Sequence, residues 1–117
     1  MSPATAEIPE DYGRRLLPVL VDSFAVTDPD RPFASIPRSV SRIKDGFQDI
    51  SYRVFARAVN RAAWWLIESL GKAGPGFPTV AYIGPHDLRY PILIFAAIKT
   101  GYKGCFLVNV DSLYLNC

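Results

Sequence analysis

Chemistry in this 117-residue chain would have to begin at His86, its sole histidine, and the neighbouring Asp87. The pair follows Thr79-Val80-Ala81-Tyr82-Ile83, which reads as a strand, and precedes an apolar run that reads as a helix. In open α/β sheets, ligands bind outside the carboxyl ends of strands. His86 is thus a candidate ligand contact or proton-transfer group. Neither a serine nor a cysteine in a recognisable nucleophile setting accompanies it, so an exposed or structural loop histidine is the favoured reading. Asp87 reads more simply as a helix cap.

Other residue types suggest chemistry less strongly. Arg53, Arg57 and Arg61 recur every fourth residue and form one row on a helix, which suits an anion-binding stripe or an ordinary solvated face. The solvated face is favoured, though three arginines in a row also suit acidic groups on a partner surface. Trp64 and Trp65 point about 100° apart on a helix, so at least one leaves the main apolar stripe. The expectation is that a second body packs there. Gly74-Pro75-Gly76 resembles a phosphate cradle only in its glycines. It precedes a strand instead of opening a helix, and Pro75 and Pro78 remove two backbone donors. A plain turn is expected. Cys105 in an apolar run and Cys117 at the end are read as a buried thiol and a loose one. With a single histidine and no close ligand spacing, metal binding is not expected.

The elements that would position these groups follow from apolar spacing. Residues 16–24 place Leu16, Leu17, Val19, Leu20 and Phe24 at helical intervals, with Pro18 admissible only in the first turn. The cluster Thr27-Asp28-Pro29-Asp30-Arg31-Pro32 must end that helix. Residues 32–38 read as an edge strand or extended arm, since Pro37 cannot donate to a central ladder. With residues 47–51 they suggest a small hairpin across Lys44-Asp45-Gly46. Residues 52–70 carry Phe55, Val59, Ala62, Leu66 and Leu70 on one helical face, between Ser51 as N-cap and Gly71 as terminator. Residues 79–83 and 104–110 read as buried strands. Between them, residues 91–100 form a helix that is apolar nearly all round. That helix begins at Pro91, or earlier under an Asp87 cap with one backbone hydrogen bond lost. Strand, helix and strand make a βαβ unit with parallel pairing. Such a helix and such strands need cover on every side, and too few elements are present to supply it.

Composition narrows the function classes. Half the residues are hydrophobic and 13% are aromatic, which excludes a disordered tail. A net charge of +2, from 13 basic and 11 acidic residues, argues against a dedicated nucleic-acid binder. The longest strictly apolar run, residues 92–98, is far short of the roughly 20 residues that span a bilayer. The first 15 residues lack the basic-then-apolar order of a secretory signal. A soluble, cytoplasmic chain is expected, with no nucleic-acid or membrane partner.

Three motifs in order carry a family resemblance. Ile50-Ser51-Tyr52-Arg53-Val54-Phe55 resembles the first core motif of the adenylation domains of the acyl-CoA synthetase, nonribosomal peptide synthetase and luciferase superfamily. That motif usually has glutamate where Val54 stands, so the reciprocal half of a capping box is lost here. Residues 63–71 resemble the family's helix ending in leucine and glycine. Ile98-Lys99-Thr100-Gly101-Tyr102 resembles the second core motif, leucine-lysine-alanine-glycine before a strand. The match runs from about residue 16 to residue 106 and, within the superfamily, points to fungal synthetase-like carboxylic acid reductases.

The resemblance implies the N-terminal part of an AMP-binding domain over residues 14–107, after a flexible leader at 1–13 and before a divergent tail at 108–117. The implied fold is α/β: a partial doubly wound parallel sheet with flanking helices. The family uses ATP and magnesium to convert a carboxylate to an acyl-adenylate. It then passes the acyl group to the thiol of coenzyme A or of a carrier's phosphopantetheine, and the reductase subgroup reduces the thioester. The family's phosphate loop, adenine-contacting motif, ribose-binding aspartate, hinge and catalytic lysine all lie beyond the second core motif. No catalytic, cofactor-binding or metal-binding residue is therefore carried over, and the expectation is a truncated, inactive enzyme piece. The tail departs from the family pattern, as a premature stop would make it. Two rivals stand beside that reading. One is a small non-catalytic interaction module that self-associates or binds another protein through uncovered apolar faces. The other is a small enzyme built on His86.

Overall fold

A computed structural model describes residues 16–39, 41–85 and 87–107; His86, the leader at 1–13 and the tail at 108–117 lie outside the described residues. The order is α1 (Leu17–Thr27), β1 (Pro32–Pro37), a 3-10 turn (Ile43–Asp45), β2 (Phe47–Ser51), α2 (Tyr52–Leu70), β3 (Thr79–Ile83), α3 (Arg89–Thr100) and β4 (Lys103–Leu107).

Local signals set most boundaries. Pro18 sits in the first turn of α1, where its missing N–H would have no helical partner anyway. The Asp-Pro-Asp turn stops that helix at Thr27, and the Asp28 N–H closes it on the Phe24 carbonyl. β1 and β2 form the expected antiparallel hairpin, with a bulge between Pro32 and Ala34. Both prolines of β1 lie at its ends, where they disturb the ladder least. α2 runs 19 residues, the longest element, with the Ser51 hydroxyl accepting from the Val54 N–H at 3.3 Å.

The core forms where α2 meets the other layers. Phe55 and Val59, each 1% exposed, cluster with Val21 of α1 and Ala56, and Phe33, Ile50, Ile92 and Phe95 pack against them. The Phe55 ring stacks on Phe33 of β1, with centroids 3.8 Å apart, and meets Phe95 of α3 edge-on at 5.4 Å. Tyr52 extends the cluster, tilted against Phe24 at 5.0 Å and edge-on to Phe33 at 5.5 Å. One aromatic row thus joins helix, hairpin and helix.

The strands form two separate two-stranded sheets, β1–β2 antiparallel and β3–β4 parallel. The β3–α3–β4 segment is the predicted βαβ unit, its register running from Thr79 opposite Lys103 to Ile83 opposite Leu107. The fold is therefore α/β. Among the described residues, its parallel part is this single strand pair.

Several expectations need correction. β3 is not buried: Thr79, Ala81 and Ile83 are exposed and only Val80 and Tyr82 are half-covered, because one helix layer shields one face of the pair. Of the two starts open to α3 the earlier one is taken, at Arg89 under the Asp87 side chain. No hydrogen bond is lost by this, since Pro91 falls at the third helical position, where N–H groups lack intrahelical partners. The Asp87 carbonyl accepts from the Tyr90 N–H instead, at 3.2 Å. β4 begins one residue early, at Lys103. Trp64 and Trp65 are 66% and 58% exposed, with no second body covering them among the described residues. Leu70 also leaves the buried stripe of α2 and is exposed. Cys105 is buried as expected but disulfide-bonded, not a free thiol, and its partner lies outside the described residues.

Phe55→Ala removes the central ring of the aromatic row. It should destabilise the chain by about 3–5 kcal/mol, most of the stability a small domain has. Loss of a cooperative urea transition checks this, and a variant with an unchanged midpoint contradicts it.

Candidate functional site

The residues of the two core motifs gather at two junctions, and there they hold backbone to backbone. At the first, the Tyr52 N–H donates to the Arg31 carbonyl at 3.0 Å and the Arg53 N–H to the Pro29 carbonyl at 3.1 Å. The first turn of α2 is thereby satisfied by the loop after α1, as helix starts require. The Arg53 guanidinium reaches Asp30 at 3.3 Å. Val54, in place of the family's glutamate, is exposed and returns no hydrogen bond to the cap. Half the capping box is missing, as its sequence implied.

The second junction is tighter. Lys99 Nζ donates to Asp22 Oδ2 of α1 and Asn60 Oδ1 of α2, both at 2.7 Å, so one ammonium ties three helices. The Thr100 hydroxyl bonds back to the carbonyls of Ala96 and Ala97 at 2.9 and 3.1 Å. Gly101 closes α3 in the left-handed conformation, φ 83°, which only glycine adopts without strain. Tyr102 then turns its hydroxyl onto the Gly71 carbonyl at 2.6 Å, capping the end of α2 from the end of α3.

The loop after β3, where His86 had been the candidate, is organised by its neighbours. The Tyr90 hydroxyl donates to the Gly84 carbonyl at 2.9 Å and accepts from the Gly84 N–H at 3.3 Å. A Cβ on Gly84 would lie 2.7 Å from Tyr82 Cζ, so a side chain there would require the Tyr82 ring to shift. Asp87 caps α3 through the Arg89 N–H at 2.9 Å, and its carboxylate also takes the Arg89 guanidinium at 2.6–3.1 Å. Those hydrogen bonds, and then the charge of Asp87, raise Arg89 above the ordinary arginine pKa.

Three clefts open between these elements. One of about 390 Å³ lies between α2, β3 and α3, walled by Trp65, Leu66, Leu70, Val80, Tyr82 and Leu93, with Ser69 adding a hydroxyl. A second, of about 680 Å³, runs between β1 and the start of α3, with Ser35, Asp87 and Arg89 on its walls. The third, about 260 Å³, sits over Asp22 and Lys99. None suits a nucleotide. Phosphate needs converging donors, whereas the first cleft is apolar, Arg89 is engaged by Asp87 and Lys99 by Asp22. Among the described residues, no group of three or more His, Cys, Asp or Glu could hold a metal ion. These clefts therefore offer, among the described residues, no donor set that fits ATP and magnesium. The Gly74-Pro75-Gly76 segment is a turn, as expected. No helix among the described residues is long and apolar enough to cross a membrane.

Sequence reasoning named Lys99 and Tyr102 as motif residues without foreseeing their partners, and it passed over Tyr90. Lys99 had a signal: it is the only charged residue among residues 90–100, and a cation on an apolar helix requires partners. The tyrosines had none, because their acceptors lie on other elements.

No family model matches the chain, and no solved structure matches it. Curated proteins do, two fungal ones among them. A carboxylic acid reductase of Neurospora crassa is 44% identical over 102 residues, covering 86% of this chain and 10% of the reductase. The isocyanide synthase-NRPS hybrid crmA of Aspergillus fumigatus is 44% identical over 101 residues, covering 86% of this chain and 6% of the hybrid. The chain spans a tenth or less of the relatives it matches.

Lys99→Met should destabilise by about 1 kcal/mol, the scale of a half-exposed ion pair plus a hydrogen bond. Tyr102→Phe should do about the same. Because both hold one junction, the double variant should depart from additivity. Denaturant midpoints of the four forms measure this.

With 44% identity along 86% of its length, the chain is similar to a short segment of a fungal carboxylic acid reductase and of a fungal isocyanide synthase-NRPS hybrid.

Proposed function

We propose that this chain provides the opening scaffold of an adenylate-forming, carboxylate-activating enzyme and performs no chemistry by itself. The observation that carries the reading is the location of its family motifs. Lys99 and Tyr102 of the second core motif are spent on holding α1, α2 and α3 together, Thr100 bonds back within α3, and none of these groups faces a nucleotide-sized polar pocket. Catalysis of acyl-adenylate formation relies on donors aimed at a transferring phosphoryl or adenylyl group. In this reading, other segments of the enzyme supply those donors and hold ATP and magnesium. The β3–α3–β4 unit opens a doubly wound parallel sheet, whose further strands and second helix layer cover the exposed side of β3 and the open side of α3. The setting proposed is the cytoplasm.

A second reading, a non-catalytic interaction module, draws support from the apolar cleft beside α3 and from exposed Ile83 and Ile98. Retrieval of a specific partner through that face would favour it, whereas concentration-dependent aggregation would favour the scaffold.

Two assays test the proposal. The purified chain should give no ATP–pyrophosphate exchange with any carboxylate, and exchange above background would overturn the reading. Transplanted in place of the matching 102 residues of the Neurospora reductase, it should preserve exchange. The same transplant carrying Phe55→Ala should lose it. A wild-type transplant that folds but is inactive counts against the scaffold role.

A further inference from the structure

The outward face of α2 carries a pattern that neither the core nor the scaffold role uses. At about 100° per residue, Arg53, Arg57, Arg61, Trp64 and Glu68 fall within an arc of about 80°. Val54 stands just beside it. This arc lies opposite Phe55, Val59 and Leu66, the residues that bury the helix. Trp64 and Val54 are at least half exposed, and Trp65 flanks them on the side of the apolar cleft. Arg53 meets Asp30, but Arg57 and Arg61 face solvent and meet no carboxylate among the described residues.

Exposed tryptophans are costly to leave in water, and tryptophan and arginine are the residue types enriched where binding energy concentrates. Their alternation on one helix face specifies the complement: carboxylates to meet Arg57 and Arg61, and apolar side chains to cover Trp64 and Val54. We propose that this face is a docking site for an acidic, amphipathic polypeptide helix. Charge complementarity selects that occupant over others. A nucleic acid needs a broader basic surface than three arginines flanked by Asp30 and Glu68, and a bilayer surface needs a continuous apolar sector, which the arginines interrupt. The site does not depend on the scaffold reading, since it uses the side of α2 turned away from the core.

The chain contains only two tryptophans, Trp64 and Trp65, so its intrinsic emission reports this face directly. The experiment uses the full chain on a tryptophan-free solubility tag and a helical peptide of about 20 residues built from glutamate, leucine and alanine. A matched peptide with lysine for glutamate is the comparison. The acidic peptide should shift the emission to the blue and bind at least about tenfold tighter than the basic one, less so in high salt. Trp65→Phe should keep the shift, which assigns it to Trp64. Arg57→Glu with Arg61→Glu should weaken binding by about tenfold or more, and Glu68→Lys should strengthen it. If the double variant loses its helical circular dichroism, the Glu68→Lys result decides. The proposal fails if the acidic peptide leaves the emission unchanged or the two peptides bind alike. It fails also if Glu68→Lys has no effect, or if polydeoxythymidine binds more tightly than the acidic peptide.

Discussion

Burial of Phe55 is the contact on which the other elements depend. Its ring lies between Phe33 of β1 and Phe95 of α3, and its helix neighbours Ala56 and Val59 meet Val21 of α1. Four elements therefore share one cluster. Packed rings of this size exclude much water per residue and prefer defined stacked or edge-on geometries. That fixes how the hairpin lies on α2 and how α3 crosses beside it. The motifs can act as fasteners only because this cluster first brings the helix ends within reach.

The same structure shows how little covers the remaining apolar surface. α3 buries Ala96 and Ala97 but exposes Ile98, and β3 exposes Ile83 beside an open apolar cleft. A parallel strand pair with cover on one face only is an unusual place for a chain to rest, since parallel strands are generally shielded on both sides. Kinship with a short segment of much larger proteins fits such a surface, which those proteins have the length to cover.

The motif residues separate position from chemistry. Lysine, threonine and tyrosine are all capable of catalysis, yet here Lys99 and Tyr102 bond to neighbouring helices and Thr100 to carbonyls of its own helix. A short motif shared across a family can thus record a demand of folding: a helix must end, a strand must begin, and the neighbouring helix end must be held where orphan carbonyls need donors.

Local order was legible in the residues. Ser51 before Phe55, Val59 and Leu66 announced α2 and its buried face; Gly101 announced the end of α3; and Thr79–Ile83 appeared as the strand observed. These are short-range properties, set by backbone freedom, capping and the periods of helix and strand. What the residues alone could not decide was coverage. Trp64, Trp65 and Ile83 are as apolar as the core residues but stand in solvent, and Lys99 found its partners 39 and 77 positions away. Burial and pairing of that kind depend on which distant elements come to lie alongside, and only the tertiary structure settles that.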